Sequence, residues 1–196
     1  MISAAIVVAA ALGADVLTVG SPAPAFSPEK FLSGTEFRAL EPGKVYVVEF
    51  WATWCGPCLR AMPHLAKLQA DNPDIVVVGI AGMERVRDAE GREKKVNDFL
   101  QSRGGSVGFP IAVDHDGSMA IAWMNAAKKT SIPCSFVVGK DGRIAYVGHP
   151  EAGLDDAVRR AKAAPAPAQP AAPGAPAAPA APGAPAAPAA PRGTAP

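Results

Sequence analysis

Apolar residues fall along this chain in short blocks separated by turn residues, and the spacing inside each block predicts its element. Val45-Tyr46-Val47-Val48-Glu49-Phe50-Trp51 is β-branched and aromatic with almost no polar interruption, which predicts a strand covered on both faces. Ile75 to Ile80 repeats that character, and Phe109 to Val113 is a shorter version. Ile132 to Gly139 and Ile144 to Val147 flank Asp141-Gly142, a strong hairpin signal. Between these blocks the period changes. Leu59, Met62, Leu65, Ala66 and Leu68 recur at helical spacing, with Pro63 expected to interrupt and kink that helix. Arg87 to Arg103 reads as a charged amphipathic helix with Val96, Phe99 and Leu100 on its apolar side. Ser118 to Ala127 and Asp155 to Lys162 read as shorter helices. Lys30 to Leu40 carries only a turn at Gly34-Thr35, between Phe31, Leu32 and Phe37. Strands that alternate with helices and end in an antiparallel pair predict an α/β fold, a mixed sheet with helices on both faces.

The pattern fails at both ends. Met1 to Ala14 is apolar but shorter than the roughly 20 residues a membrane span needs. It has the length of a signal-peptide core, with small residues at Leu12-Gly13-Ala14 for cleavage, although Met1-Ile2-Ser3 lacks Lys and Arg. A buried N-terminal strand or helix is the competing reading. From Ala163 to Pro196 the chain is Ala, Pro and Gly with little else, and one nonapeptide occurs at 171–179 and again at 180–188. Such a segment has nothing to bury, and its prolines favour an extended spacer. The expected organisation is therefore a signal peptide over 1–14, one domain over 15–162 and a disordered tail over 163–196. Export to the periplasm or cell envelope follows, with no stable span after processing; without cleavage the location is cytoplasmic.

Charge narrows the partners. The 196 residues carry a net charge of +1, with mixed signs and no basic stripe, so nothing points to nucleic acid or an acidic membrane surface. No glycine-rich nucleotide fingerprint is present, and no cofactor is expected. Three cysteines do not make a disulfide scaffold.

Two of them stand in Trp54-Cys55-Gly56-Pro57-Cys58, between the first strand and the first helix. Cys55 is then at a helix N-terminus, where free N–H groups and the dipole favour a thiolate. Pro57 falls in the first turn, where a missing N–H costs nothing. Cys58, three residues on, shares the helix face and can resolve a mixed disulfide formed on Cys55. A zinc half-site would need a second ligand pair, and the chain has no further Cys-x-x-Cys or His-x-x-x-His.

These residues resemble the thioredoxin superfamily, and within it the TlpA/ResA-like thiol–disulfide oxidoreductases, over about Val19 to Pro150. Phe50 to Cys58 is similar to that family's active-site segment, Gly20 to Phe26 to its N-terminal entry, and Ile132-Pro133-Cys134-Ser135-Phe136 to its cis-proline strand. The resemblance implies a thioredoxin fold and a monomer. It implies protein dithiol or disulfide clients, a redox partner, and a reducing direction. It makes Pro133 a client-binding residue beside Ile132, Gly56 and Pro57. Trp54 is expected to form an apolar docking rim. Glu49, six residues before Cys55, matches the buried acid of thioredoxins and is the candidate proton partner of Cys58; a strand-edge Glu reaching water is the alternative. The Glu that ResA-like proteins often carry three residues after the second cysteine is Ala61 here. Cys134 departs from the family's usual small residue, either as packing or as a third thiol near the pair. Two other function classes fit less well: a client-binding module without turnover, using the cis-proline groove and the Ala/Pro tail, which would not need both thiols, and a peroxidase, which would need a Thr-x-x-Cys spacing absent at Thr53-Trp54-Cys55.

Overall fold

The computed structural model describes residues 16–86 and 88–166; the expected signal peptide and almost all of the expected tail lie outside them. Six strands form one sheet: β1 (Lys30–Ser33), β2 (Val45–Trp51), β3 (Ile75–Ala81), β4 (Ile111–Val113), β5 (Cys134–Val138) and β6 (Ile144–Gly148). The helices are α1 (Gly56–Asp71), α2 (Ala89–Gln101), α3 (Ser118–Ala120), which runs on as a π-helical turn over Ile121–Asn125, and α4 (Leu154–Ala163). The sheet order is β1-β4-β3-β2-β5-β6. Strands β2, β3 and β4 are parallel; β1, β5 and β6 pair antiparallel to their neighbours. This is the thioredoxin fold, an α/β architecture with its longest strands, β2 and β3, at the centre.

Both faces of β2 are buried, which is why its sequence shows no alternation. Val45, Val47 and Trp51 pack with α1, α2 and α4 through Met62, Leu65, Val96, Leu100 and Val158. Tyr46, Val48 and Phe50 pack on the opposite side against α3, the π-helical turn and the N-terminal segment, through Met119, Trp123, Met124, Leu17 and Phe26. Glu49 has the parity of Val47 and Trp51, so it lies on the side of the sheet covered by α1, α2 and α4.

Three expectations change in the structure. Pro63 does not interrupt α1, which is continuous from Gly56 to Asp71. The lost N–H bond is outweighed by the burial of Cys58, Met62, Leu65 and Leu68 along one stripe. Lys30–Ser33 is an edge strand on β4, with a register shift between Phe31 and Ser33. The helix expected from Ser118 is only three α-helical residues before the π-helical turn. The Asp141-Gly142 turn joins β5 to β6 as expected, with Gly142 at φ 72° and the Gly139 N–H donating to the Arg143 carbonyl at 2.8 Å.

Gly79 lies opposite Glu49 in the β2–β3 register. A Cβ there would come 2.6 Å from Ile111 Cδ1 and 2.9 Å from Trp51 Nε1. Both neighbours are locked in the core, so Gly79→Ala should destabilise the protein by about 1–3 kcal/mol. Urea unfolding measures this; an unchanged midpoint would mean that Trp51 and Ile111 yield freely.

Candidate active site

Strand β2 ends at Trp51, and four residues later Cys55 caps α1. Cys55 has extended backbone angles (φ −84°, ψ 94°), and its Sγ accepts the Cys58 N–H at 3.2 Å. A sulfur therefore takes the place of the usual side-chain oxygen at a helix N-cap. The same N–H donor and the positive end of α1 stabilise negative charge on Cys55 Sγ once the bond is reduced. Cys55 and Cys58 form a disulfide, with their Cα atoms 5.3 Å apart. Cys55 is 3% exposed and Cys58 1% exposed, while Gly56 and Pro57 between them are open to solvent.

The segment before Cys55 is held by the loop after β3. Because β2 and β3 are parallel neighbours, their C-terminal loops leave the sheet at the same edge. The Glu84 carboxylate accepts the Thr53 N–H at 2.5 Å and the Thr53 hydroxyl at 2.8 Å. Trp54 Nε1–H donates to the Met83 carbonyl at 2.8 Å. The Arg85 guanidinium lies over the Trp54 ring, 3.8 Å from its centroid. Trp54 nevertheless stays 43% exposed beside the disulfide.

On the other flank the Ile132–Pro133 peptide is cis. The β2–β5 ladder pairs Phe50 with Cys134. Continuing that register sets Pro133 level with Trp51, at the end of β2 from which the Cys55 segment departs. Pro133 is buried and Ile132 half-buried.

Glu49 is 2% exposed. Its register partner across the ladder is Ser135, whose hydroxyl donates to Glu49 Oε2. Oε1 has no protein partner. Burial pushes the Glu49 carboxyl up to about 8, against a smaller opposing effect of the Ser135 hydrogen bond. Glu49 is thus protonated at neutral pH in this oxidised state.

Cys134 lies away from this group. It shares the parity of Phe50 and Phe136 and packs on the α3 side of the sheet, opposite to the face that holds Cys55 and Cys58. It is a free, buried thiol, and burial followed by the charge of Glu49 pushes it up to about 12. That placement favours packing over a third redox thiol. His64 is also outside the site, hydrogen-bonded to Asp155 at 2.9 Å across α1 and α4.

Sequence reasoning did not single out Glu84, Arg85 or Ser135. Glu84 and Arg85 could have been found by noting that parallel neighbours β2 and β3 bring their following loops together. For Ser135 the available signal was parity, as the residue of β5 that shares a sheet face with Glu49.

The Redoxin family model matches residues 18–164. The FixW protein of Rhizobium leguminosarum is 34% identical over 137 residues, covering 69% of this chain and 62% of FixW. The thiol-disulfide oxidoreductase ResA of Geobacillus kaustophilus is 30% identical over 133 residues, covering 67% of this chain and 69% of ResA. A solved thiol:disulfide interchange protein from Chlorobium tepidum is 27% identical with a TM-score of 0.58, covering 72% of this chain and 96% of that one. The chain belongs to the Redoxin family, as a ResA/TlpA-like member of the thioredoxin superfamily. It spans about three fifths of the length of FixW.

Proposed function

We propose that this protein is a thiol–disulfide oxidoreductase that reduces or exchanges disulfides in client proteins through Cys55 and Cys58. The observation that carries the reading is the Cys55–Cys58 disulfide at the N-terminus of α1, with a backbone N–H already directed at Cys55 Sγ. In the reduced enzyme the Cys55 thiolate attacks one sulfur of a client disulfide. A Cys55–client disulfide forms and the other client sulfur leaves as a thiolate. Cys58 then loses its proton to Glu49 in its ionised form, the minor form at neutral pH, and attacks Cys55 Sγ. The second client thiolate leaves, the client is reduced, and the Cys55–Cys58 bond is restored. A partner dithiol must reduce that bond before the next turnover. Pro133, Ile132 and Trp54 form the client's seat around Cys55 in this reading.

Gly56-Pro57 between the cysteines supports a reducing direction through the family resemblance. The apolar residues 2–12 support export, and among the described residues no helix is long and apolar enough to cross a membrane. Insulin reduction by dithiothreitol tests the activity. The protein should accelerate precipitation of the freed insulin chain, and a rate equal to dithiothreitol alone would overturn the reading. Equilibration with glutathione tests the direction. The expected midpoint is nearer the thioredoxin value of about −270 mV than the DsbA value of about −120 mV, and the reverse would make the protein an oxidant.

A further inference from the structure

The residues on either side of Cys55 each carry an arginine. Trp54 holds the Arg85 guanidinium over its ring, 3.8 Å from the centroid. Gly56 lies under Arg60, one turn along α1, whose Nη1 is 3.6 Å from where a Cβ on Gly56 would stand. Both arginines are exposed. Elsewhere Lys30, Arg38, Lys44, Lys67, Lys94, Arg159 and Lys162 are tied to carboxylates. Among the described residues, Arg60 and Arg85 make no such pair, as is true of other cations such as Lys95 and Arg103; what sets these two apart is their place on the residues flanking Cys55. Two carboxylates of the site are already engaged: Glu84 by Thr53 and Glu49 by Ser135. Among the described residues, the site therefore presents two cations that no carboxylate pairs with.

We propose that Arg60 and Arg85 form an anion-recognising rim that selects client segments carrying Asp or Glu next to the cysteine under attack. The inference rests on the oxidoreductase reading and adds a substrate class to it. A guanidinium donates two parallel N–H bonds to a carboxylate, and one settled on an aromatic ring has already lost much of its freedom before the client arrives. A client strand that places its disulfide on Cys55 sets its neighbouring side chains beside Trp54 and Gly56, within reach of the two arginines. Exposed pairs of this kind act mainly on encounter and are screened by salt.

The test uses two peptides with the same disulfide loop, one with Glu on both sides of the target cysteine and one with Lys. Each rate with the reduced full chain is divided by that peptide's rate with dithiothreitol, which removes the effect of flanking charge on intrinsic disulfide reactivity. The corrected kcat/KM should favour the Glu peptide by about threefold to tenfold at low salt. That ratio should fall towards one at high salt and in the double variant Arg60→Gln, Arg85→Gln, and return with Arg60→Lys, Arg85→Lys. A ratio near one in the parent protein, or a preference that survives in the Gln double variant, overturns the rim. Failure to reduce either peptide while insulin reduction is intact also overturns it. Failure with both peptides and insulin instead overturns the oxidoreductase reading beneath it.

Discussion

Cys55→Ser should remove disulfide reduction altogether, a loss of at least about 10³-fold, because the nucleophile that opens the client disulfide is gone and a serine hydroxyl does not replace a thiolate. Cys58→Ser should behave differently. Cys55 keeps its place as N-cap and keeps the N–H of residue 58 as a donor, so the first attack still occurs. What is lost is resolution: the mixed disulfide persists on Cys55 and turnover stops after one client. Incubating each variant with an oxidised client and reading intact mass without reductant separates the two. The Cys58 variant should gain the mass of a client chain, and the Cys55 variant should not. Accumulation of a client adduct on the Cys55 variant would exchange the two roles. If that adduct mapped to Cys134, it would bring back the third thiol on a face of the sheet that holds no other cysteine.

The central strands and the dithiol were legible in the sequence for the same reason: each has a local signature. β2 and β3 are buried on both faces, so nearly continuous apolar runs mark them directly. Cys55 to Cys58 lies within one helical turn, and the helix cap, the first-turn proline and the paired sulfurs all fall inside four residues. β1 carried no such mark. It has four residues at the sheet edge, half-buried where it is buried at all, and exists because β4 offers it an unpaired side. The π-helical turn after Ala120 was equally hidden. Met119, Trp123 and Met124 are all buried there, a spacing that suits an ordinary helix just as well.

What surrounds the dithiol comes from distant parts of the chain. Glu84 reaches Thr53 across 31 residues, and Ser135 reaches Glu49 across 86. Neither pairing has a spacing rule; each follows from which strands lie side by side. Cys134 stands one residue from Pro133, and proximity along the chain suggested proximity in space. Strand alternation works against that. Adjacent residues of β5 point to opposite faces, so Ser135 meets Glu49 while Cys134 meets the Phe50–Phe136 cluster.

Glu49→Gln should change two pH profiles at once. In the oxidised native protein Glu49 holds its proton up to about pH 8, whereas in the unfolded chain it releases it near the ordinary value of 4.5. Between those two values the native state binds one proton more than the unfolded state, so stability falls as pH rises through the window. The slope is at most about 1.4 kcal/mol per pH unit, and the loss is complete once pH exceeds the native value. Below about pH 4.5 both states are protonated and Glu49 contributes no slope. Gln fills the same space, can still accept from Ser135, and does not titrate. The variant's unfolding free energy, measured on the oxidised protein, should therefore lose this downward slope between pH 5 and 8, and the variant should be the more stable of the two at pH 8. The same substitution removes the proton acceptor assigned to Cys58. Resolution of a Cys55–client disulfide should slow by about 10²-fold near neutral pH and lose the inflection that Glu49 gives it. The two readouts separate the burial of the carboxyl from its use. A flattened stability profile with an unchanged pH–rate profile would leave Glu49 as a buried acid that takes no part in the chemistry. A stability slope that survives in the variant would place the raised proton affinity on another group.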